Sequence, residues 1–211
     1  MTDPTTPPTG ARSGSPFRVV LTGGPGGGKT TAADLFRREI GDGVIVVPEA
    51  ATLLFSGGFP RPSEPAAIRS VQNAIYHVQR GLEDIQAEHY PDRVLLCDRG
   101  TADGGAYWPD GSDSFFASVG SSHAAELERY DAVIFFETAA AGGHGFESEN
   151  RFRTEGQQEA IALDTELRTL WEPHPRFTLI PHSASFFRTM TMGLGILESV
   201  VGLQAGTGTT E

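Results

Sequence analysis

Eight consecutive residues, Gly23-Gly24-Pro25-Gly26-Gly27-Gly28-Lys29-Thr30, constrain this chain more than any other segment. The spacing Gly-x-x-x-x-Gly-Lys-Thr lets a backbone curl round an anion with its N–H groups pointing inward, and a Cβ at either end would block the curl or the approach. A lysine next to the last glycine places an ammonium against the β- and γ-phosphates, and the hydroxyl after it can ligate magnesium. The β-branched run Phe17 to Thr22 leads into the loop. The stretch from Lys29 to Ile40 reads as a helix, with Ala32, Leu35, Phe36 and Ile40 on one side. A helix start adds its positive dipole end to the same anion site. The expected phosphate-binding set is Gly23, Gly24, Pro25, Gly26, Gly27, Gly28, Lys29, Thr30 and Thr31, for a nucleoside triphosphate with Mg2+.

The charge balance narrows the ligand. The net charge is −11, which excludes a general nucleic-acid binder but not a nucleotide, whose phosphates need one local cluster of donors. Lysine and arginine number 16 together, and the single lysine among them is Lys29. A guanine-selective switch protein reads its base with an Asn-Lys-x-Asp loop, which this chain therefore cannot form. Hydrophobic content of 38% and charged content of 20% fit a soluble protein. No apolar stretch is long enough to span a bilayer, and the start lacks a secretory signal, so the expected compartment is the cytoplasm. With Cys97 alone there is no internal disulfide, and its apolar surroundings predict a buried, inert thiol.

Strand-like and helix-like segments alternate along the chain. Strands are expected at 17–22, 44–47, 94–98, 132–136 and 177–180, and helices at 29–40, 62–88, 154–171 and 183–201. The middle strands are unbroken apolar runs, as in parallel strands buried on both faces. The fold class is therefore α/β: a three-layer, doubly wound, five-stranded parallel sheet with helices on both faces. One domain is expected over 16–203, with a lid around 139–155, a disordered leader at 1–15 and a disordered tail at 204–211. Ile68, Val71, Ile75, Val78, Leu82 and Ile85 form an amphipathic stripe, read as a core-facing helix face.

Candidate chemistry gathers at strand ends. The third strand closes in Asp98-Arg99-Gly100, and an acid there points into the crevice where open α/β sheets bind ligands. Asp98 can hold magnesium with Thr30 or orient an acceptor; Arg99 can grip an acceptor or a transferred phosphate. The pair also fits a plain surface ion pair. The second strand ends at Glu49, a carboxylate able to take the proton of an attacking hydroxyl or to cap the next helix. Arg151 and Arg153, in a loop after the fourth strand, can close on the phosphates. Leu53, Leu54, Phe55, Phe59, Tyr76, Tyr107 and Trp108 are candidates to line an acceptor pocket. His174 between two prolines reads as a turn residue, and no Cys/His cluster has zinc-ligand spacing.

Taken together, Leu21-Thr22-Gly23-Gly24-Pro25, Val47-Pro48-Glu49-Ala50, Cys97-Asp98-Arg99-Gly100 and the segment from Ala160 to Pro175 resemble the NadR-like AAA/kinase family of P-loop NTPases. That family includes bacterial nicotinamide-riboside kinase domains and, more distantly, the TRPL-translocation-defect proteins of animals. The resemblance covers roughly residues 17 to 190. The placement of Glu49 and of Asp98-Arg99 also resembles deoxynucleoside kinases, which implies Glu49 as general base and Asp98 and Arg99 as acceptor-site groups. The implied activity is transfer of the γ-phosphate of Mg-ATP to a hydroxyl of a nucleoside-like metabolite. The alternative is a regulatory ATP- or GTP-binding module with little turnover, acting through a protein or lipid partner.

Overall fold

A computed structural model describes residues 16–142, 151–183 and 185–207; for 141–142, 151–155, 201 and 203–207 it describes the backbone alone. Five short strands, β1 (Arg18–Thr22), β2 (Val44–Val47), β3 (Val94–Asp98), β4 (Ala132–Phe136) and β5 (Phe177–Ile180), form one all-parallel sheet. Their order is β2-β3-β1-β4-β5. The central strand β1 pairs Val20 with Cys97 of β3 and with Val133 of β4. Every residue of β3 and β4 is buried, as their unbroken apolar runs required.

The strand order decides which helix covers which face. Parallel crossovers are right-handed, so the face a helix takes follows from the direction in which its connection crosses the sheet. From β1 the chain runs outward to β2 through α1 (Lys29–Ile40); every later crossover moves the opposite way. Hence α1 lies on one face, joined after the last strand by α7 (Phe186–Thr207). The other face carries α2 (Ala50–Ser56), α3 (Pro65–His89), α4 (Ser112–Ser118), α5 (His123–Leu127) and α6 (Arg151–Trp171), with a 3-10 segment over Thr101–Tyr107.

The alternation of side chains along each strand divides the core in two. Val20, Leu95, Cys97, Val133 and Phe135 pack under Tyr76, Phe115, Leu167 and Trp171. Val19, Leu21, Leu96, Ile134 and Phe136 pack under Ala32, Phe36, Met190 and Leu197. Cys97 is fully buried, and burial pushes its thiol pKa well up, so the inert thiol read from sequence stands.

Several sequence-based boundaries shift. The long helix starts at Pro65, where proline suits the first helical turn because that turn's N–H has no partner. Arg151 and Arg153 fall in the first turn of α6 instead of a preceding loop, while α7 continues to Thr207 through residues expected to be tail. Of the expected lid, 139–142 form a 3-10 turn, and 143–150 lie outside the described residues, as do the leader 1–15 and 208–211. The stripe on α3 is not a plain core face: Ile85 is exposed, whereas the buried positions are Val71, Tyr76, Gln79 and Glu83. Two of those four are polar, and each is held by a hydrogen bond from another element.

Candidate functional site

Neighbouring strands β1 and β3 send their chains in opposite directions, so a crevice opens at their carboxyl ends. The glycine loop leaves β1 there, Asp98 and Arg99 leave β3, and Glu49 follows β2 one strand further out. Gly23 has φ 126°, and a Cβ on it would stand 2.0 Å from the Phe136 carbonyl oxygen, so no larger residue fits. Gly28, at φ 84°, occupies the left-handed region at the cap of α1.

The loop is fastened from outside by an acid absent from the sequence-based candidates. Asp164 of α6 accepts the Gly24 N–H at 2.7 Å and the Thr138 N–H at 3.0 Å on the same oxygen. The Thr138 hydroxyl in turn donates to the Pro25 carbonyl at 2.6 Å. Burial raises the Asp164 pKa, against the lowering effect of those two amides. Its sequence signal was a lone acid on the side of a helix that otherwise buries Leu167 and Leu170.

Lys29 is 6% exposed and its Nζ donates to the Gly24 carbonyl at 2.6 Å. Burial, and next the Arg99 charge, lower its pKa from 10.5 to about 8. The Thr30 hydroxyl donates to Asp98 Oδ2 at 2.8 Å, which leaves the hydroxyl's lone pairs free. A hydroxyl and a carboxylate are the hard oxygen donors that magnesium takes, with phosphates and water completing its shell. Thr30 and Asp98 therefore fit the expected metal pair. Burial raises the Asp98 pKa, and the Thr30 hydrogen bond opposes it.

Arg99 sits where the two halves of the crevice meet. Its backbone has φ 76°, a region unfavourable for a non-glycine residue by about 1–2 kcal/mol. Its N–H to the Leu21 carbonyl, 3.0 Å, pins it there. One guanidinium nitrogen donates to the Gly23 carbonyl at 2.7 Å and to Asp103 at 3.2 Å, and Nε lies 3.4 Å from Glu49. Burial works against its charge, but Asp103 and its other acidic neighbours outweigh that and hold its pKa above the usual value. Asp103, the second acid missed from sequence, also receives the Thr22 hydroxyl at 2.9 Å and the Trp171 indole N–H at 2.6 Å. So the Arg99 fork braces the root of the loop as well as facing the crevice. Asp103 lies four residues after Arg99, an ion-pair spacing the sequence offered without saying that it would be buried.

Glu49 occupies the N-cap position of α2, but its carboxylate caps no backbone N–H; it accepts from the Thr52 hydroxyl and faces Arg99. Two cavities meet at this pair. The first, about 300 Å³, is lined by Pro25, Gly26, Gly28, Lys29, Thr30, Thr31 and Asp98, together with Glu49 and Arg99. The second, about 460 Å³, lies between α2, α3 and the 3-10 segment and also includes Glu49 and Arg99 in its wall. Phe55, Tyr76 and Tyr107 line it, as do Ile68, Val71 and Ile75 of the α3 stripe. Leu53 and Phe59 are exposed surface, Leu54 is off the cavity, and Trp108 is core. The side chains of Arg151 and Arg153 lie outside the described residues. His174 is buried in a turn, with Nε2 2.9 Å from the Tyr130 carbonyl and Nδ1 accepting the Arg176 N–H, far from this crevice in its contacts.

Fold and site together define a P-loop NTPase of kinase-like architecture. The chain belongs to the family described as AAA domain, whose sequence profile matches residues 18–187. Among solved structures it is similar to thymidylate kinase from Ehrlichia chaffeensis, with a TM-score of 0.54 and 12% identity over 88% of this chain and 98% of that one. No curated protein matches the sequence. No helix among the described residues is long and apolar enough to cross a membrane.

Proposed function

We propose that this protein is a small-molecule kinase that transfers the γ-phosphate of Mg-ATP to a hydroxyl of a nucleoside-like acceptor. One observation carries the reading: a polar, lysine-bearing cavity and an apolar cavity share a wall, and the shared residues are Glu49 and Arg99. A hydrolase needs a place for water beside the phosphates; a second cavity of about 460 Å³ lined by aromatic rings is of the size and character that hold an organic ligand.

In this reading the loop amides and Lys29 hold the triphosphate, with Thr30 and Asp98 as the residues that hold Mg2+, which neutralises phosphate charge when bound. The acceptor oxygen attacks the γ-phosphorus, the bond to the β,γ-bridging oxygen breaks, and ADP departs. The hydroxyl proton passes to Glu49. Arg99 keeps Glu49 turned into the crevice and fixes the loop root through Gly23. Arg151 and Arg153 are assigned to the transferring phosphoryl group by their position at the start of α6. Nicotinamide riboside and deoxynucleosides are the acceptors that the sequence resemblance suggests.

The test is an acceptor screen: protein and Mg-ATP with nucleosides, deoxynucleosides and nicotinamide riboside, read by mass spectrometry, with Lys29→Ala as control. A phosphorylated product that is absent from the control supports the proposal. ATP binding without any product would instead favour the regulatory module.

A further inference from the structure

The cavity between α2 and α3 has a chemistry of its own, which restricts what it can take. Its charged lining residues are Glu49, Asp103, Arg61 and Arg99, two acids and two bases, so it has no net charge of its own. Arg99 is engaged with Gly23, Asp103 and Glu49. Arg61 is exposed at the rim, with its guanidinium carbon over the Phe55 ring, 3.9 Å from the centroid, where water competes for its charge. A phosphate brings about two negative charges. In this cavity it would face Glu49, with Arg99 and Asp103 already paired and no free buried cation among the described residues.

The neutral polar groups are mostly committed too. The Gln79 side chain accepts the Ala50 N–H at 3.1 Å and donates to Glu83 and to the Arg99 carbonyl. The Tyr76 and Thr101 hydroxyls both donate to Glu126, at 2.7 and 2.6 Å. The Tyr107 hydroxyl and the Gln72 amide have no hydrogen-bond partner among the described residues. Gln72 is half-buried on the cavity face of α3, one turn from Ile68 and from Tyr76. Once a ligand displaces water from the cavity, an amide left unpaired weakens binding about fivefold or more. The ligand must therefore offer it both a donor and an acceptor.

We infer that this cavity binds a phosphate-free alcohol bearing a flat ring with neighbouring hydrogen-bond donor and acceptor, and that Gln72 reads that edge. The ring lies among Phe55, Tyr107 and the α3 aliphatics, and the hydroxyl end reaches Glu49. The inference rests on the kinase reading for its hydroxyl end but not for its ring, so binding tests it separately from turnover.

The experiment is calorimetric titration of the full chain, without ATP, using thymidine, cytidine, adenosine and nicotinamide riboside, and then the 5′-monophosphate of each. At least one nucleoside should bind, and its monophosphate should bind about tenfold or more weakly. Gln72→Leu should weaken the nucleoside about tenfold or more, with melting temperature and ATP affinity unchanged. A phenyl C-riboside, which lacks the polar edge, leaves the amide unpaired in wild type and should bind Gln72→Leu more tightly, by about fivefold or more. Gln72→Glu, which keeps the size and loses the donor, serves if the leucine variant fails to fold. A monophosphate that binds as tightly as its nucleoside, indifference to both Gln72 substitutions, or no binding by any probe would overturn the inference. Gln72-dependent binding with no phosphoryl transfer would leave it standing and remove the kinase reading.

Discussion

Lys29 gives the site a pH dependence whose sign and size follow from its surroundings. Its pKa lies at about 8 because burial, and next the Arg99 charge, disfavour the ammonium. Phosphates beside it would favour the ammonium and return the pKa to its ordinary value of about 10.4 or higher. Nucleotide then binds the protonated protein. That fraction falls from about 0.9 at pH 7 to about 0.1 at pH 9, so ATP affinity should drop about tenfold over that interval, or about 1.4 kcal/mol. At pH 8 binding should take up about half a proton. Calorimetry in two buffers of different ionisation heat measures both quantities. The other charged groups that face Lys29 are Asp98, Asp103, Glu49 and Arg99. Lys29→Met should bind weakly and without the slope. The unliganded fold should respond in the opposite sense. The folded pKa of about 8 lies below the ordinary value of 10.5, so the unfolded chain binds more protons between those two pH values and stability rises with pH across them, by up to about 3 kcal/mol. Affinity that stays flat from pH 7 to 9 in the wild type would refute the account of a buried, phosphate-facing ammonium.

Three further outcomes are expected. Glu49→Gln should lower kcat by about 10²–10⁴ while leaving the ATP dissociation constant within about twofold; equal turnover in variant and wild type would remove the base assignment. Asp164→Ala leaves the Gly24 and Thr138 amides without their acceptor and should cost about 2–4 kcal/mol, a melting shift of roughly 5–15 °C, with weaker ATP binding as well. Gly100→Ala puts a Cβ 2.7 Å from the Trp171 ring and 2.9 Å from Val20, so it should cost about 1–3 kcal/mol and alter indole fluorescence as the ring leaves Asp103.

The strands and the phosphate loop were legible because their signals are local. An unbroken run such as Val94 to Asp98, or a lysine behind a set of glycines, has one structural solution, and β2 to β5 and α1 fall at their expected residues. The supporting polar residues were not legible, because their meaning depends on partners distant in sequence. Asp164 holds Gly24 across 140 residues, and Gln79 is buried because Ala50 offers it an N–H. The α3 stripe misled for a related reason: a cavity wall and a core face have the same apolar period, and the facing α2 decides between them. Likewise Phe59 and Tyr107 looked equivalent in sequence, yet Tyr107 turns into the cavity and Phe59 does not.

The placement of charge explains how so acidic a chain can be built to hold a polyphosphate. The crevice carries Glu49, Asp98 and Asp103 against Lys29, Arg61 and Arg99, three acids and three bases, within a chain of −11. A balanced crevice offers a triphosphate no net attraction. The loop supplies it with donors that carry no net charge, the backbone amides at the start of α1. The two acids nearest Lys29 and Arg99 are also engaged: Asp98 holds the Thr30 hydroxyl, where the proposed kinase would take its divalent cation, and Asp103 holds Arg99 against the loop root. Asp103 is enclosed by Trp171, Thr22 and Arg99, so its charge is matched before a ligand arrives. Glu49 is the acid of the three with a side open to both cavities, which is the position a proton acceptor needs.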